Sequence, residues 1–159
     1  MERSKTFSRR DIPESLRELM SLDMQIDTKA QELSRWREIS QKAAGPSYTR
    51  AGGPGSRTGS MIEDCVIKIE AIERAIASDV DKLVALRHSI SMVIDSTGDP
   101  LCISLLSLRY LNGMSWERVA ECMNYSYSHI VHRLHPRALA KFSTAYSEAE
   151  SKGGVKNSG

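Results

Sequence analysis

Residues 62–93, IEDCVIKIEAIERAIASDVDKLVALRHSISMV, carry the pattern that decides the fold of this chain. Apolar side chains recur every seven residues, and a companion series follows each of them three residues later, as in the seam of a coiled coil. The two series are Ile62, Ile69, Ile76, Leu83 and Ile90, and Cys65, Ile72, Asp79, Leu86 and Val93. Asp79 is the only polar member, and Val80 beside it can turn inward to fill the gap. The pattern predicts one long amphipathic helix.

A second long helix is predicted before it, because a similar alternation of three- and four-residue steps precedes residues 45–60. Its seam positions are Leu19, Leu22, Ile26, Lys29, Leu33 and Trp36, with a polar interruption at Lys29. We expect this helix to begin near Asp11 and Pro13 and to end at Gly45-Pro46, where a glycine precedes a helix breaker.

The two seams are separated by GPSYTRAGGPGSRTGS, residues 45–60, which contains five Gly, two Pro and no acidic residue. Such a composition is typical of a flexible loop. Two apolar seams joined by a loop predict an antiparallel coiled-coil hairpin over residues 11–95. Each seam can instead pair with a second chain, so a homodimer through the coiled coil stays open.

Residues 96–142 carry the signals of three short helices separated by tight turns. Each helix is preceded by a residue that can cap it, and two of them are followed by a residue that tolerates the left-handed conformation. These residues are Asp99-Pro100, Asn112-Gly113, Ser115, Asn124-Tyr125 and Ser126. The spacing predicts an all-α protein with a helix-turn-helix module after the hairpin.

The third of these helices has two chemically different faces. At about 100° per residue, the predicted buried stripe contains Tyr127, Ile130, Val131 and Leu134. The residues that face away are Ser128, His129, His132 and Arg133. Arg137 and Lys141 follow, and the helix contains no carboxylate. A cationic face of this kind fits contact with phosphates and bases of nucleic acid.

Residues 105–139, LLSLRYLNGMSWERVAECMNYSYSHIVHRLHPRAL, resemble region 4 of the sigma-70 family factors. The shared order is a Leu-rich helix, Arg-Tyr, Gly, Ser, Glu-x-Val-Ala, Ser and His-x-Arg-Ala-Leu. The layout of the whole chain, with paired helices in front and a Gly-rich interruption, also resembles small sigma-like regulators of phages and prophages of Gram-positive bacteria, including the ArpU-like late-gene activators.

This resemblance implies binding of double-stranded promoter DNA in the cytoplasm of a bacterial host, with influence on RNA polymerase. By position, Ser126 is expected near a phosphate at the turn, and the third helix is expected in the major groove. The expected groove residues are Ser128, His129, His132 and Arg133. Pro136 departs from the pattern, and a kink there would shift the helical register beyond Leu134 by about one residue, so Arg137 and Lys141 are assigned to phosphates. Because the front half is a coiled coil and not a promoter-melting domain, the resemblance favours an activator.

The charge distribution agrees with a division of the chain into a coiled-coil front half and a DNA-binding module. The chain has 22 basic and 20 acidic residues, a net charge of only +2, so affinity for nucleic acid requires local clustering. Residues 11–96 carry eleven basic and fourteen acidic side chains, whereas residues 101–142 carry five basic and two acidic ones. Residues 1–10 form a predicted disordered basic arm, and residues 143–159 a predicted flexible tail.

Other functional classes find little support. No convergent set of catalytic residues is present, so we expect neither an enzyme nor a cofactor. His129, His132 and His135 repeat every three residues, but no acidic residue or cysteine joins them within the helix, so no metal site is expected. No apolar run is long enough to span a membrane, and a cytoplasmic protein is expected. A DNA-packaging protein that resembles a small terminase subunit remains the alternative, since it would also combine a DNA-binding module with oligomerisation.

Overall fold

Helices account for nearly all of the chain in the computed structural model, which describes residues 11–45 and 57–153. The predicted arm over residues 1–10, most of the predicted loop (46–56) and the last residues (154–159) lie outside these ranges. No strand occurs in the described ranges, so the prediction of an all-α protein is confirmed. None of the helices within them is both long and apolar enough to cross a lipid bilayer.

The first two helices are long, as the seams predict. They are α1 (Glu14–Ala43) and α2 (Arg57–Ser96). Helix α1 starts directly after Pro13, whose carbonyl accepts from the amides of Leu16 and Arg17, each at 3.1 Å. The predicted start and end of α1 are therefore confirmed to within three residues. Residues 57–60, assigned to the loop from their Gly and Ser content, already belong to α2.

The carboxy-terminal helices are shorter, and two of them run into π turns, in which the backbone bonds skip one more residue than in an α-helix. The elements are α3 (Pro100–Leu106) with a π turn over Ser107–Leu111, α4 (Trp116–Met123), α5 (Tyr127–His129) with a π turn over Ile130–Leu134, and α6 (His135–Ser151). No break separates α5, its π turn and α6, so we call residues 127–151 the α5–α6 helix. The prediction of a flexible tail is wrong for residues 143–151, which continue this helix because Ala145 is buried.

Two compact units divide the chain, and the division does not follow the predicted domain boundary at residue 95. One unit consists of residues 22–83, and the other contains the described residues up to 21 and from 84 onward. Within the second unit the first turns of α1 and the last turns of α2 contribute fully buried side chains, such as Leu16, Leu19, Ile90 and Ile94. The module therefore includes the ends of both long helices.

Within the unit of residues 22–83, the predicted seams are the least exposed faces of their helices. Leu33, Cys65, Ile72 and Asp79 are buried, and the remaining seam positions of this unit are half-buried. The expectation that Val80 turns inward is wrong, because Val80 is 38% exposed and Asp79 is only 7% exposed. Asp79 keeps its place in the seam.

The burial of Asp79 is explained by the other polar seam residue. Lys29 of α1 forms an ion pair with Asp79 of α2, and Lys82 lies 4.0 Å away on the other side of the carboxylate. A second, exposed ion pair joins Arg37 and Glu73 at 2.7 Å. The two interruptions that the sequence shows separately are thus partners, and a charge in a seam is tolerated because its partner lies opposite.

We predict that Asp79→Ala lowers the free energy of unfolding by about 2 kcal/mol, since it leaves a half-buried ammonium without its carboxylate. Urea unfolding followed by circular dichroism measures this change. The combined variant Lys29→Leu and Asp79→Leu should recover most of the loss, because an apolar pair fits the seam. Glu73→Ala is the matched control and should change the unfolding free energy by less than about 1 kcal/mol. Equal effects of the two single substitutions would contradict a special role for the buried pair.

Candidate nucleic-acid interface

Helix α4 is closed at both ends by its own sequence. Ser115 caps its start by accepting a hydrogen bond from the amide of Arg118 at 3.3 Å. At its end Asn124 adopts the left-handed conformation with φ of 58°, and the amide of Tyr125 donates to the carbonyl of Ala120 at 3.1 Å. The amide of Asn124 donates to the carbonyl of Glu121 at 3.2 Å, and the two bonds together form a Schellman motif, which turns the chain sharply after the helix. The predicted break at Asn124-Tyr125 is confirmed.

The start of the α5–α6 helix is set by Ser126. Its side-chain oxygen accepts from the amide of His129 at 3.2 Å, and its carbonyl accepts from the amide of Ile130 at 3.0 Å. Ser126 is therefore an N-cap, as predicted, and it remains exposed. Only Asn124, Tyr125 and Ser126 separate α4 from this helix, so the turn between the two helices is short and defined by hydrogen bonds.

Pro136 explains the π turn in the middle of the α5–α6 helix. A proline inside a helix lacks an amide donor, and its ring collides with the carbonyl four residues earlier. Directly before Pro136 the amide of His135 donates to the carbonyl of Ile130, five residues back. The wider turn inserts one residue into the helical register. The register shift of about one residue that Pro136 signals in the sequence thus takes the form of a π turn.

The exposed face of the helix matches the predicted site in most of its members. The exposed side chains are those of Ser126, Ser128, His129, His132, Arg133 and Arg137. On the opposite face Ile130, Leu139 and Phe142 are buried. No carboxylate occurs between Glu121 and Glu148, so the electrostatic potential along this face is not neutralised from within the segment.

Lys141 differs from the other predicted site residues because it is engaged in an ion pair. Its ammonium contacts the carboxylate of Asp99, the residue that caps α3 by accepting from the amide of Leu101 at 3.0 Å. This contact, together with the amide bonds of the cap, holds the pKa of Asp99 below its usual range. Lys141 therefore joins α6 to the start of α3, and a phosphate would have to compete with Asp99 for it.

Tyr127 is the member of the predicted buried stripe that the structure contradicts. It is 47% exposed, whereas Ile130 is fully buried and Val131 and Leu134 are half-buried. Tyr127 lies in the first turn of the helix, directly after the N-cap Ser126, and helical periodicity alone assigns it to the wrong environment. The neighbouring Tyr125 is also exposed, and its ring stacks on the imidazole of His129 with centroids 5.2 Å apart.

A buried polar cluster packs against the α5–α6 helix on the side opposite its exposed face. His135 is 2% exposed, and its Nε2 lies 2.7 Å from the hydroxyl of Tyr110. The ring of Trp116 meets His135 edge-on with centroids 4.4 Å apart, and the guanidinium of Arg109 lies over Trp116 at 4.7 Å. Arg109 also donates to the carbonyl of Met114 at 2.7 Å. Trp116 thus packs inside the module between His135 and Arg109.

Sequence reasoning missed His135 as a structural residue. Counted as an unbroken α-helix, it falls about 140° from Ile130, outside the predicted buried stripe, which spans about 0–100° on the same scale. The extra residue of the π turn moves it to about 40°, which places it inside the stripe. Pro136 is the feature of the sequence that could have indicated this change of register. His135 is therefore on a different face from His129 and His132, and the described residues contain no cluster of His, Cys, Asp and Glu that could hold a metal ion.

Burial changes the pKa values of the two titratable side chains of this cluster, His135 and Tyr110. Desolvation, with a smaller contribution from the nearby charge of Arg109, lowers the pKa of His135 to about 4. Desolvation also raises the pKa of Tyr110 above its usual range. At neutral pH the pair is therefore uncharged, which is the state that suits a hydrogen bond away from water.

Comparison with known proteins adds no relative. No protein-family model, curated protein or solved structure matches this chain.

We predict that His135 makes the fold sensitive to mild acid. Its pKa is about 6.5 in the unfolded chain and about 4 in the folded protein, so the unfolded state binds more protons between these values. Stability is fully present above pH 6.5 and falls as the pH is lowered towards 4, by up to about 3 kcal/mol. Thermal unfolding at pH 7, 6 and 5 measures the loss.

The control is His135→Gln, which keeps a hydrogen-bonding side chain but does not titrate. Carboxylates titrate in both proteins, so the difference between the two pH profiles isolates the contribution of His135. If the wild type and the variant lost the same melting temperature between pH 7 and 5, the buried imidazole would not be the cause.

Proposed function

We propose that this chain is a sequence-specific DNA-binding protein that regulates transcription, as an activator of phage or prophage genes. The observation that carries the proposal is the exposed face of the α5–α6 helix, where Ser, His and Arg side chains stand without a carboxylate between Glu121 and Glu148. Double-stranded DNA is the polyanion that such a helical face fits, since the major groove is wide enough to admit an α-helix.

The arrangement of α4, the turn and the α5–α6 helix supports a helix-turn-helix reading. A three-residue turn closed by a Schellman motif and an N-cap joins the two helices, and the second presents the polar face. In such modules the second helix enters the major groove with its first turns, while the first helix crosses the phosphate backbone. Helix α5–α6 is the proposed recognition helix.

The side chains can then be assigned by their chemistry. Arg133 is the proposed base reader, because a guanidinium bonds a guanine edge through two donors. His129, His132 and Ser128 are proposed as further groove contacts, and Ser126 and Arg137 as phosphate contacts. Lys141 is a weaker candidate for a phosphate, because Asp99 already holds its ammonium.

We propose an antiparallel coiled-coil hairpin for the pairing of α1 and α2. The ion pairs Lys29–Asp79 and Arg37–Glu73 support it, because their residue numbers rise along α1 while they fall along α2. In a regulator of this kind the coiled coil sets the spacing of two modules through dimerisation, or engages RNA polymerase in the cytoplasm of the bacterial host.

The proposed function is tested first by selecting bound fragments from the source DNA, with footprinting at two salt concentrations. One protected site upstream of a gene block supports an activator, because specific contacts survive salt that removes non-specific binding. A ring of many subunits on packaging-site DNA would instead favour a protein that resembles a small terminase subunit. Complete loss of binding with salt, without any preferred site, would contradict the proposal.

We predict that Arg133→Ala weakens binding to the selected site by about 1–3 kcal/mol, because a base read through two hydrogen bonds is lost. Titration of a labelled duplex, with and without a substitution of the protected guanines, measures the effect. The variant should also discriminate less between those two duplexes.

The matched control is Arg35→Ala, an exposed arginine of α1 in the other compact unit. It should leave the affinity unchanged. If Arg133→Ala weakened binding equally on the selected site and on random-sequence DNA, Arg133 would be a phosphate contact and not a base reader.

A further inference from the structure

The exposed aromatic side chains of the described residues lie together at one place. Tyr125 is 39% exposed and Tyr127 is 47% exposed, and they flank the N-cap Ser126. The other described Phe, Trp and Tyr side chains are buried or half-buried, namely Trp36, Tyr110, Trp116, Phe142 and Tyr146. In a chain with only 6% aromatic residues, two exposed tyrosines within three positions form a distinct surface feature. Aromatic side chains are enriched at binding interfaces.

The surroundings of the two tyrosines favour an anionic partner. Both belong to the acid-free segment between Glu121 and Glu148, and His129, His132 and Arg133 follow within eight residues. A phenol offers a hydrogen-bond donor together with an apolar ring. This combination suits a surface that alternates charged oxygens with apolar carbon, as the phosphates and deoxyriboses of a DNA strand do.

The ring of Tyr125 is held in place before any partner arrives. It stacks on the imidazole of His129, with centroids 5.2 Å apart and an angle of 18° between the planes. Its backbone is fixed as well, because the amide of Tyr125 closes the Schellman motif of α4. A tyrosine has only two side-chain torsions, so fixing it in advance reduces the entropy lost on binding.

We propose that Tyr125 and Tyr127 contact the sugar–phosphate backbone of duplex DNA beside the major groove, where their hydroxyls donate to phosphate oxygens and their rings pack on deoxyribose. The pair positions the start of the recognition helix, and the stack of Tyr125 on His129 joins this backbone contact to a groove contact. The inference rests on the proposed function and extends the site beyond the residues that charge patterning identifies.

The test uses the full-length chain with Tyr125→Phe, Tyr127→Phe and the combined variant, each titrated against a short random-sequence duplex at several salt concentrations. Each single variant should bind about three- to ten-fold more weakly, because one neutral hydrogen bond to a charged oxygen is lost. The slope of log affinity against log salt should stay unchanged, since a phenol displaces no counterion. Arg137→Ala, in contrast, should reduce that slope by about 1.

Tyr146→Phe is the matched control, because it removes the same atom from a half-buried tyrosine of α6. It should leave the affinity unchanged. Thermal unfolding of the exposed-site variants should match the wild type, since Tyr125 and Tyr127 are exposed in the folded protein and a large loss of stability would mean that they pack in the core.

Three outcomes would overturn the inference. If the combined Phe variant and Tyr125→Ala with Tyr127→Ala keep full affinity while Arg137→Ala lowers the slope, the tyrosines are not contacts and DNA binding by the helix stands. If only the Ala variants lose affinity, and only on single-stranded DNA, the rings stack on unpaired bases instead. If the wild-type chain binds no duplex, the proposed function fails together with the inference.

Discussion

The hydrogen bond between the hydroxyl of Tyr110 and the imidazole of His135 is the interaction on which the carboxy-terminal module depends. It joins the π turn that ends α3 to the first residue of α6, in a place that water does not reach. A buried polar pair of this kind is stable only when both members are satisfied and uncharged. Because His135 is fixed from behind, the residues before it, His132 and Arg133, are directed outward.

The helix that carries the proposed interface is therefore held in place before any partner binds. Ser126 and Asn124 fix the turn, the π turn absorbs Pro136, and Lys141 ties α6 to the cap of α3 through Asp99. Ordering of side chains and loops is one of the main costs of association, so a helix presented in this way spends little of its binding free energy on rearrangement. The same rigidity is what a base-reading arginine requires.

In the long helices, too, polar groups are tolerated in an apolar seam because they are paired. Lys29 and Asp79 interrupt two apolar series, and each would be costly alone. Their pairing makes one alignment of α1 with α2 better than its neighbours, because a shift by one heptad would leave both charges against apolar side chains. The ion pair is thus better suited to selecting a register than to adding stability.

The sequence by itself determined the helices, their caps and the charge of the exposed face, because these follow from short-range rules: heptad spacing, the capping side chains of Asp99, Ser115 and Ser126, and the lack of acidic residues. Tertiary structure decided what lies behind that face. Periodicity placed Tyr127 inside and could not place His135, because burial depends on which neighbouring helix covers each turn and on the residue that the π turn inserts. Tertiary structure also decided that Lys29 and Asp79 are partners, since residues fifty positions apart meet only when the chain folds.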